Sequence, residues 1–346
     1  MMTAGVGFGE GARSYDRESP IGQWPQSDSR AENQQIDQPR ANSGTLSSLT
    51  ITRSMRAAAI FGLGCSPLQL KAFQSDASVE WRMGMPSSSS DADLILVFGG
   101  DGTIHRHLGS FVRLGLPVLV VPAGSGNDFA RALGIRSVRD SVAACEAFRR
   151  GVGSVRTVDL GVIQTCAGGA PAPHKHFFCS VAGVGLDAEV TRRANRLPRW
   201  LRGHGGYVFA LLPTIFQFAP VPVKIMTRPE GDFGWTVRSD RLTTLAAFAN
   251  TPVYGDGMKI APEAKMDDGL IDICVVGGVG PFRLFCLFPT VYGGRHLKIP
   301  EVSYLQAERA RVETERPMDI YADGESVCQT PVEIGLQRAA LRVLTP

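Results

Sequence analysis

The sequence predicts an α/β protein in two parts: an N-terminal parallel α/β domain and a mainly antiparallel β-sandwich domain. Three observations carry this. LILVF (94–98) runs into the turn GGDGT and a helix-like segment, and PVLVV (117–121) runs into PAGSGND and a second helix-like segment. Strands alternating with helices give a parallel sheet. After about residue 155 the texture changes to short β-rich segments separated by turn residues, which suits an antiparallel sandwich.

Residues 1–54 are polar, rich in Gly, Ser, Gln and Arg, and lack a period, so they are expected to be a disordered tail. Order is expected from Met55, where AAAIFGLG reads as a short buried strand and turn. Pro86 and the serines 87–90 mark a loop. The strand at 94–98 follows, then a helix over 103–114, a strand at 117–121, and helices over 127–133 and 138–150. The first domain is placed at 55–155 and the β-rich domain at 156–346. Within the latter, VRTVDLGVI, HFFCSVAGVG, RLTTLAAFANTP, GLIDICVVGG, ARVETE, MDIYADGE and ALRVLTP are the strand candidates, interrupted by helix-like inserts at about 187–218 and 281–293.

With 36 Lys and Arg against 33 Asp and Glu, the net charge of +3 gives no general attraction to nucleic acid, and none is expected as a partner. Seven cysteines without a C-x-x-C pair argue against a zinc site and a disulfide framework, and suit a reducing cytoplasm. No apolar run reaches bilayer length: YVFALLPTIFQFAP (207–220) is short and contains Pro213. The expected location is the cytoplasm, with contact at the inner face of the membrane.

Glycine lets a backbone approach a ligand closely, and a strand–glycine–helix turn presents free N–H groups to an anion. Gly99, Gly100, Gly102 and Thr103 suit one phosphate cradle, and Gly124, Ser125, Gly126, Asn127 and Asp128 a second on the neighbouring strand. Both would lie beyond the strand carboxyl ends, where open parallel sheets bind ligands. Asp101 is out of place beside phosphate unless it holds a metal ion, a lysine or a water network.

GGDGT followed by P-x-G-S-G-N-D-F-A-R resembles the diacylglycerol kinase catalytic domain of lipid kinases, a group that includes the sphingosine and ceramide kinases. GGDGT is shared with NAD kinases; PAGSGNDFARALG (122–134) is the more specific motif. The resemblance covers about 92 to the C-terminus and implies a nucleotide-binding domain like that of NAD and diacylglycerol kinases. At the front, IFGLGCSPLQ (60–69) stands where the family has N-P-x-S-G, and 79–93 is short for the family's long helix.

The resemblance further implies that GDGMKIAPEAKMDDGLIDICVV (255–276) holds Mg2+ through the Asp268 carboxylate and the Lys265 and Leu270 carbonyls. It implies that YADGES (321–326) supplies the general base, Asp323, with Glu325 supporting it or the metal network, while Asp101 and the Asp268 loop organise Mg2+ for catalysis. Read alone, D-D-G and D-G-E are ordinary turn sequences.

From Val190 to Pro229 there is no acid, and Arg192, Arg193, Arg196, Arg199 and Arg202 mingle with Leu197, Trp200 and Leu201. Together with 281–298 this suits contact with an anionic membrane surface; a solvated basic helix is the plainer alternative. His296 shows no partner in the sequence and is read as structural. The expected function is transfer of the γ-phosphate of ATP to a membrane-lipid hydroxyl, diacylglycerol first. A soluble acceptor such as NAD, or a regulator that binds nucleotide without catalysis, are the alternatives. A homodimer is left open.

Overall fold

In the computed structural model the described residues are 54–346 apart from 75–78, 168–169, 198–205, 230 and 256. The expected tail, up to residue 53, and Arg199, Trp200, Leu201 and Arg202 lie outside them. Thr52–Pro346 forms one compact unit.

The N-terminal sheet is parallel. β1 (Met55–Phe61) pairs with both β2 (Val79–Met83) and β3 (Leu94–Gly99), and β3 pairs with β4 (Val118–Pro122). Leu94 to Phe98 are all fully buried, because helices cover the inner strands of such a sheet. α1 (Asp101–Leu114) buries Ile104, Leu108 and Phe111, spaced four and three apart on one face. It stops at Gly115, whose φ of 62° is a left-handed C-cap. α2 (Asp128–Ala132) and α3 (Val138–Arg149) follow β4; Ser137 and Asp140 close a reciprocal capping box on α3. Between β1 and β3 only a 3-10 turn (Pro67–Phe73) and the edge strand β2 are described, so the long helix of the resembling family has no counterpart among the described residues.

The rest is antiparallel, except that the last strand also joins β4 in parallel. The strands are β5 (Ser154–Ala167), β6 (Ala170–Pro171), β7 (His176–Phe178), β8 (Val181–Gly185), β9 (Val221–Arg228), β10 (Thr236–Ala249), β11 (Ile271–Gly277), β12 (Val302–Ala307), β13 (Arg309–Thr314), β14 (Asp319–Ala322), β15 (Glu325–Gln329) and β16 (Val332–Thr345). Among the described residues three α-helices interrupt them: α4 (Leu186–Arg196), α5 (Gly206–Gln217) and α6 (Pro281–Leu287). The hydrogen-bonded path runs β15-β14-β8-β10-β9-β13-β16-β4-β3-β1-β2, with β11 on β10 and β5 on β16.

β10 shows how the layers are built. Ala246 and Phe248 face the sandwich core with Ile225, Ile273 and Val312, whereas Leu245, Ala247 and Ala249 face a separate core under α4 and α5 with Val190, Leu211 and Ile215. The two-residue period of a strand sorts neighbours to opposite faces. β16 serves two cores along its length. Val332 and Ile334 enter the sandwich core, and Leu341 and Val343 enter the core of the parallel sheet, with Val343 paired to Val118. The switch occurs at a register shift between Gln337 and Leu341, where Ala339 has φ 50°.

Candidate active site

The two glycine turns touch each other through backbone. A Cβ on Gly100 would lie 2.8 Å from Gly124 Cα, so neither position has room for a side chain. The second turn is held from within. Asn127, at φ 55°, accepts from Gly124 N–H at 2.9 Å and donates to the Gly124 carbonyl at 2.7 Å. Asparagine tolerates that left-handed backbone better than most residues.

Asp101 ties the first turn to α2: its two oxygens accept from the Asp128 and Phe129 backbone N–H groups, both at 3.0 Å. Burial pushes its carboxyl above the usual range; the two amide bonds pull it back, and the charge of Asp323 adds to the upward shift. Thr103 is buried, and a Cβ on Gly62 or Gly99 would run into its side chain, so the side chain packs beneath the turn.

Asp323 and Gly324, at φ 49° and 85°, are the two loop residues of the β14–β15 hairpin, closed by Ala322 opposite Glu325. Positive φ at both is what a tight type I′ turn demands. A hairpin tip is normally wet, yet the Asp323 side chain is 0% exposed. Its Oδ1 accepts from Ser180 N–H at 2.8 Å; its Oδ2 accepts from Cys179 N–H at 2.8 Å, His105 Nδ1 at 3.0 Å and the Cys179 thiol at 3.4 Å. Hydrogen bonds to a charged group contribute about 1.5–3 kcal/mol each, which offsets the burial of the carboxylate. The Asn195 side chain donates to the Gly324 carbonyl at 2.8 Å and clamps the tip from α4.

These groups surround a cavity of about 330 Å3. Of the residues expected at phosphate, Gly100, Asp101, Gly102, Gly124, Ser125, Gly126 and Asp128 line it; Gly99, Thr103 and Asn127 do not, and support the turns instead. Asp323 and Glu325 line the same cavity from the hairpin. With Asp187 that makes five acids in the wall, Asp101, Asp128, Asp187, Asp323 and Glu325, and no lysine or arginine among the described lining residues.

Lys265, Asp268 and Leu270 do not line this cavity. Asp268 Oδ1 accepts from Leu270 N–H at 3.0 Å, closing the ordinary turn that D-D-G encodes, and Asp267 pairs with Arg156 at 2.8 Å. The donor set still suits a hard cation: the second Asp268 oxygen and two backbone carbonyls are oxygen ligands. The loop is tied to the site by buried bonds. Asp159 accepts from Gly269 N–H at 2.9 Å, and Asn250 donates to the carbonyls of Asp159 and Cys179 at 2.9 and 3.0 Å. Cys179 in turn holds Asp323.

A second cavity, of about 90 Å3, is walled by apolar side chains of α4, α5, α6, β10 and β11, including Val190, Leu211, Leu245, Val276 and Leu284. Both cavities share Asp187 and Tyr254, and the Tyr254 hydroxyl donates to Asp187 Oδ1 at 2.9 Å. Outside this cavity Phe209, Leu212 and Phe216 of α5 and Phe282 and Phe285 of α6 are exposed, with the Phe216 and Phe285 rings 6.0 Å apart. Part of the expected basic surface is paired within the protein. Arg192 and Arg193 both pair with Glu189, at 2.6 and 2.7 Å, and Arg283 pairs with Glu301 at 2.6 Å. His296 is buried, and its Nε2 lies 3.1 Å from the Ile260 carbonyl, in keeping with a structural reading.

Sequence reasoning passed over His105, Ser180, Asp187, Asn195, Asn250 and Tyr254. Asn250, at the end of the apolar run LAAFAN, carried a faint signal as a polar residue closing a buried strand. The others are brought together only by contacts between distant segments.

Residues 69–163 match the diacylglycerol kinase catalytic domain, and 180–345 match the YegS C-terminal NAD kinase beta sandwich-like domain. A diacylglycerol kinase of Mycobacterium tuberculosis is 36% identical over 254 residues, covering 73% of this chain and 77% of that protein. A diacylglycerol kinase of Bacillus subtilis is 27% identical over 235 residues, covering 67% and 71%. The crystal structure of a diacylglycerol kinase from Bacillus anthracis str. Sterne shares the fold, with a TM-score of 0.58 and 19% identity over 85% of this chain and 97% of that one. The chain belongs to the diacylglycerol kinase family and is an ATP-dependent lipid kinase with an alcohol as acceptor.

Proposed function

We propose that the protein phosphorylates diacylglycerol to phosphatidic acid at the surface of a membrane. The observation that carries this is the pair of cavities sharing Asp187 and Tyr254: an apolar one beside a polar, glycine-walled one. A lipid alcohol has that division built in, whereas a soluble acceptor such as NAD has no use for the apolar half. The names of the relatives supply the particular lipid.

In this reading the backbone of Gly100–Gly102 and Gly124–Gly126 cradles the nucleotide phosphates. Asp323 is the general base. The lipid hydroxyl oxygen bonds to the γ-phosphorus, the oxygen bridging to the β-phosphate leaves with its electron pair as ADP, and the hydroxyl proton passes to Asp323. Oδ1 suits that task, since Ser180 N–H is its one hydrogen-bond donor, against three on Oδ2. Glu325, a Cβ's reach from Gly102, borders the same space. Asp268, with the Lys265 and Leu270 carbonyls, would hold Mg2+, which supplies a hard positive charge beside an acid-rich site.

An engineered apolar cavity of ~150 Å3 admits one benzene. A cavity of about 90 Å3 therefore takes only the start of an acyl chain. The rest stays in the bilayer, and the exposed aromatic residues of α5 and α6 are placed to touch it. Replacing Phe216 and Phe285 by Ser should lower sedimentation with phosphatidylglycerol vesicles while leaving ATP binding unchanged.

The test is transfer of labelled phosphate from ATP in diacylglycerol mixed micelles, with and without Mg2+, run beside NAD. Labelled phosphatidic acid, formed only with Mg2+, is the expected product. Labelled NADP in its place would overturn the lipid reading, and no transfer to either despite ATP binding would favour a regulator.

A further inference from the structure

His105 is a buried titratable group at the site for which the reaction above has no use. It lies on α1 four residues after Asp101, its side chain 16% exposed, with Nδ1 3.0 Å from Asp323 Oδ2. A carboxylate can only accept, so the hydrogen sits on Nδ1. We propose that His105 is a positioning residue for Asp323: its N–H pins Oδ2 and keeps Oδ1 turned to the acceptor hydroxyl. This rests on Asp323 as the base.

The geometry gives the bond a purpose. Asp323 stands at the tip of a two-residue hairpin turn, and the carboxylate of such a residue can rotate about χ2. Cys179 and Ser180 offer one backbone N–H to each oxygen, and these two alone come from a single strand end. His105 comes from a different element, α1, and fixes the carboxylate from a second direction. α1 is also the helix that begins at the first glycine turn, so base and phosphate cradle are joined through it.

Charge adds a second argument. Five acids and no lysine or arginine line the cavity among the described residues, and a nucleotide polyphosphate must enter it. An imidazolium at 105 offsets part of that negative charge. The groups facing it are Asp323 and Glu325 from the hairpin, Arg106 on its own helix and His176 on β7. Burial disfavours the imidazolium, but the Asp323 bond and the two carboxylate charges outweigh burial and Arg106, so the pKa of His105 is raised above the ordinary 6.5. The imidazolium is therefore favoured more than in an ordinary histidine, and kcat should fall as pH rises through the raised value.

The experiment measures kcat, with KM for ATP and for lipid in mixed micelles, between about pH 5.5 and 9.5, a span that brackets the histidine range. The proteins are wild type, His105→Leu, His105→Asn and Asp323→Asn. His105→Leu has no donor and should lose roughly 30-fold in kcat with both KM values within about twofold, a partial loss below the ~10²–10⁴-fold that proton transfer as a whole contributes. His105→Asn keeps a neutral N–H and should hold kcat at the level wild type reaches at high pH, without the decline of the wild type. If His105→Leu does not fold, the His105→Asn profile decides alone: retention of the wild-type decline overturns the proposal. Wild-type kcat in His105→Leu while Asp323→Asn is inactive overturns the role of His105 and leaves the base standing. Full activity in Asp323→Asn overturns the base itself, and this proposal with it.

Discussion

The two cavities differ in how they are built. The polar one is made largely of backbone: two glycine turns at van der Waals contact, with Asn127 and Asp101 holding their shape by bonds to main-chain N–H groups. The apolar one is made of side chains from three helices, three strands and the loops between them. A backbone site tolerates almost no substitution where chains touch, because a Cβ cannot be moved aside. A side-chain site can be reshaped by volume, at the cost of packing. Asp187 and Tyr254 stand on the border and belong to both.

The comparison breaks most sharply at Asp323. Asp323→Asn should lower kcat on the order of 10²–10⁴-fold with ATP affinity nearly unchanged, since the amide keeps the shape and loses the base. Steady-state kinetics beside an ATP-binding titration check it. Next is Gly100→Ala, whose Cβ would lie 2.8 Å from Gly124 Cα. The turns must part, so ATP affinity should fall by about tenfold or more and unfolding stability by about 1–3 kcal/mol, read from urea melts. On the apolar side, Val279→Phe should raise the lipid KM by about tenfold and leave the ATP KM unchanged. If it moves the ATP KM equally, the two cavities do not divide the substrates as described.

Tyr254→Phe removes one hydrogen bond to buried Asp187 and should cost about 1 kcal/mol of stability, with both KM values shifting slightly because the pair borders both cavities. The smallest effect is on pH. The folded pKa of His105 is raised, so its contribution to stability is complete below the ordinary 6.5 and is lost as pH rises through the raised value. The stability advantage of wild type over His105→Asn in urea should therefore shrink on going from mildly acidic to alkaline buffer.

The parallel sheet and its turns were legible because they are local. LILVF and PVLVV are buried on both faces, so their apolar runs are unbroken, and the glycine turns after them are contiguous in the chain. Asp101 shows where such reading stops. Its motif was plain, but the partners of its oxygens are N–H groups 27 and 28 residues away. The arginines of α4 show a similar limit. The stretch 190–229 is free of acids, yet Glu189, one turn earlier on the same helix, holds both Arg192 and Arg193. β2 was missed because VEWRM is a short edge strand, mostly exposed, with little apolar pattern.

By itself the sequence determined the strand–glycine–helix units, the β-rich second half and the family, since each rests on short-range backbone preferences and on motifs that are continuous in the chain. Only the tertiary structure decided what each acid touches. It put Asp323, in a turn sequence that any hairpin might carry, against the start of β8 and against His105, 218 residues earlier, and buried its side chain. It also let β16, the last strand, enter the cores of both the parallel sheet and the sandwich. Those outcomes depend on loop closure across hundreds of residues, where the reward is burial shared among many segments, and no stretch of the chain carries that information alone.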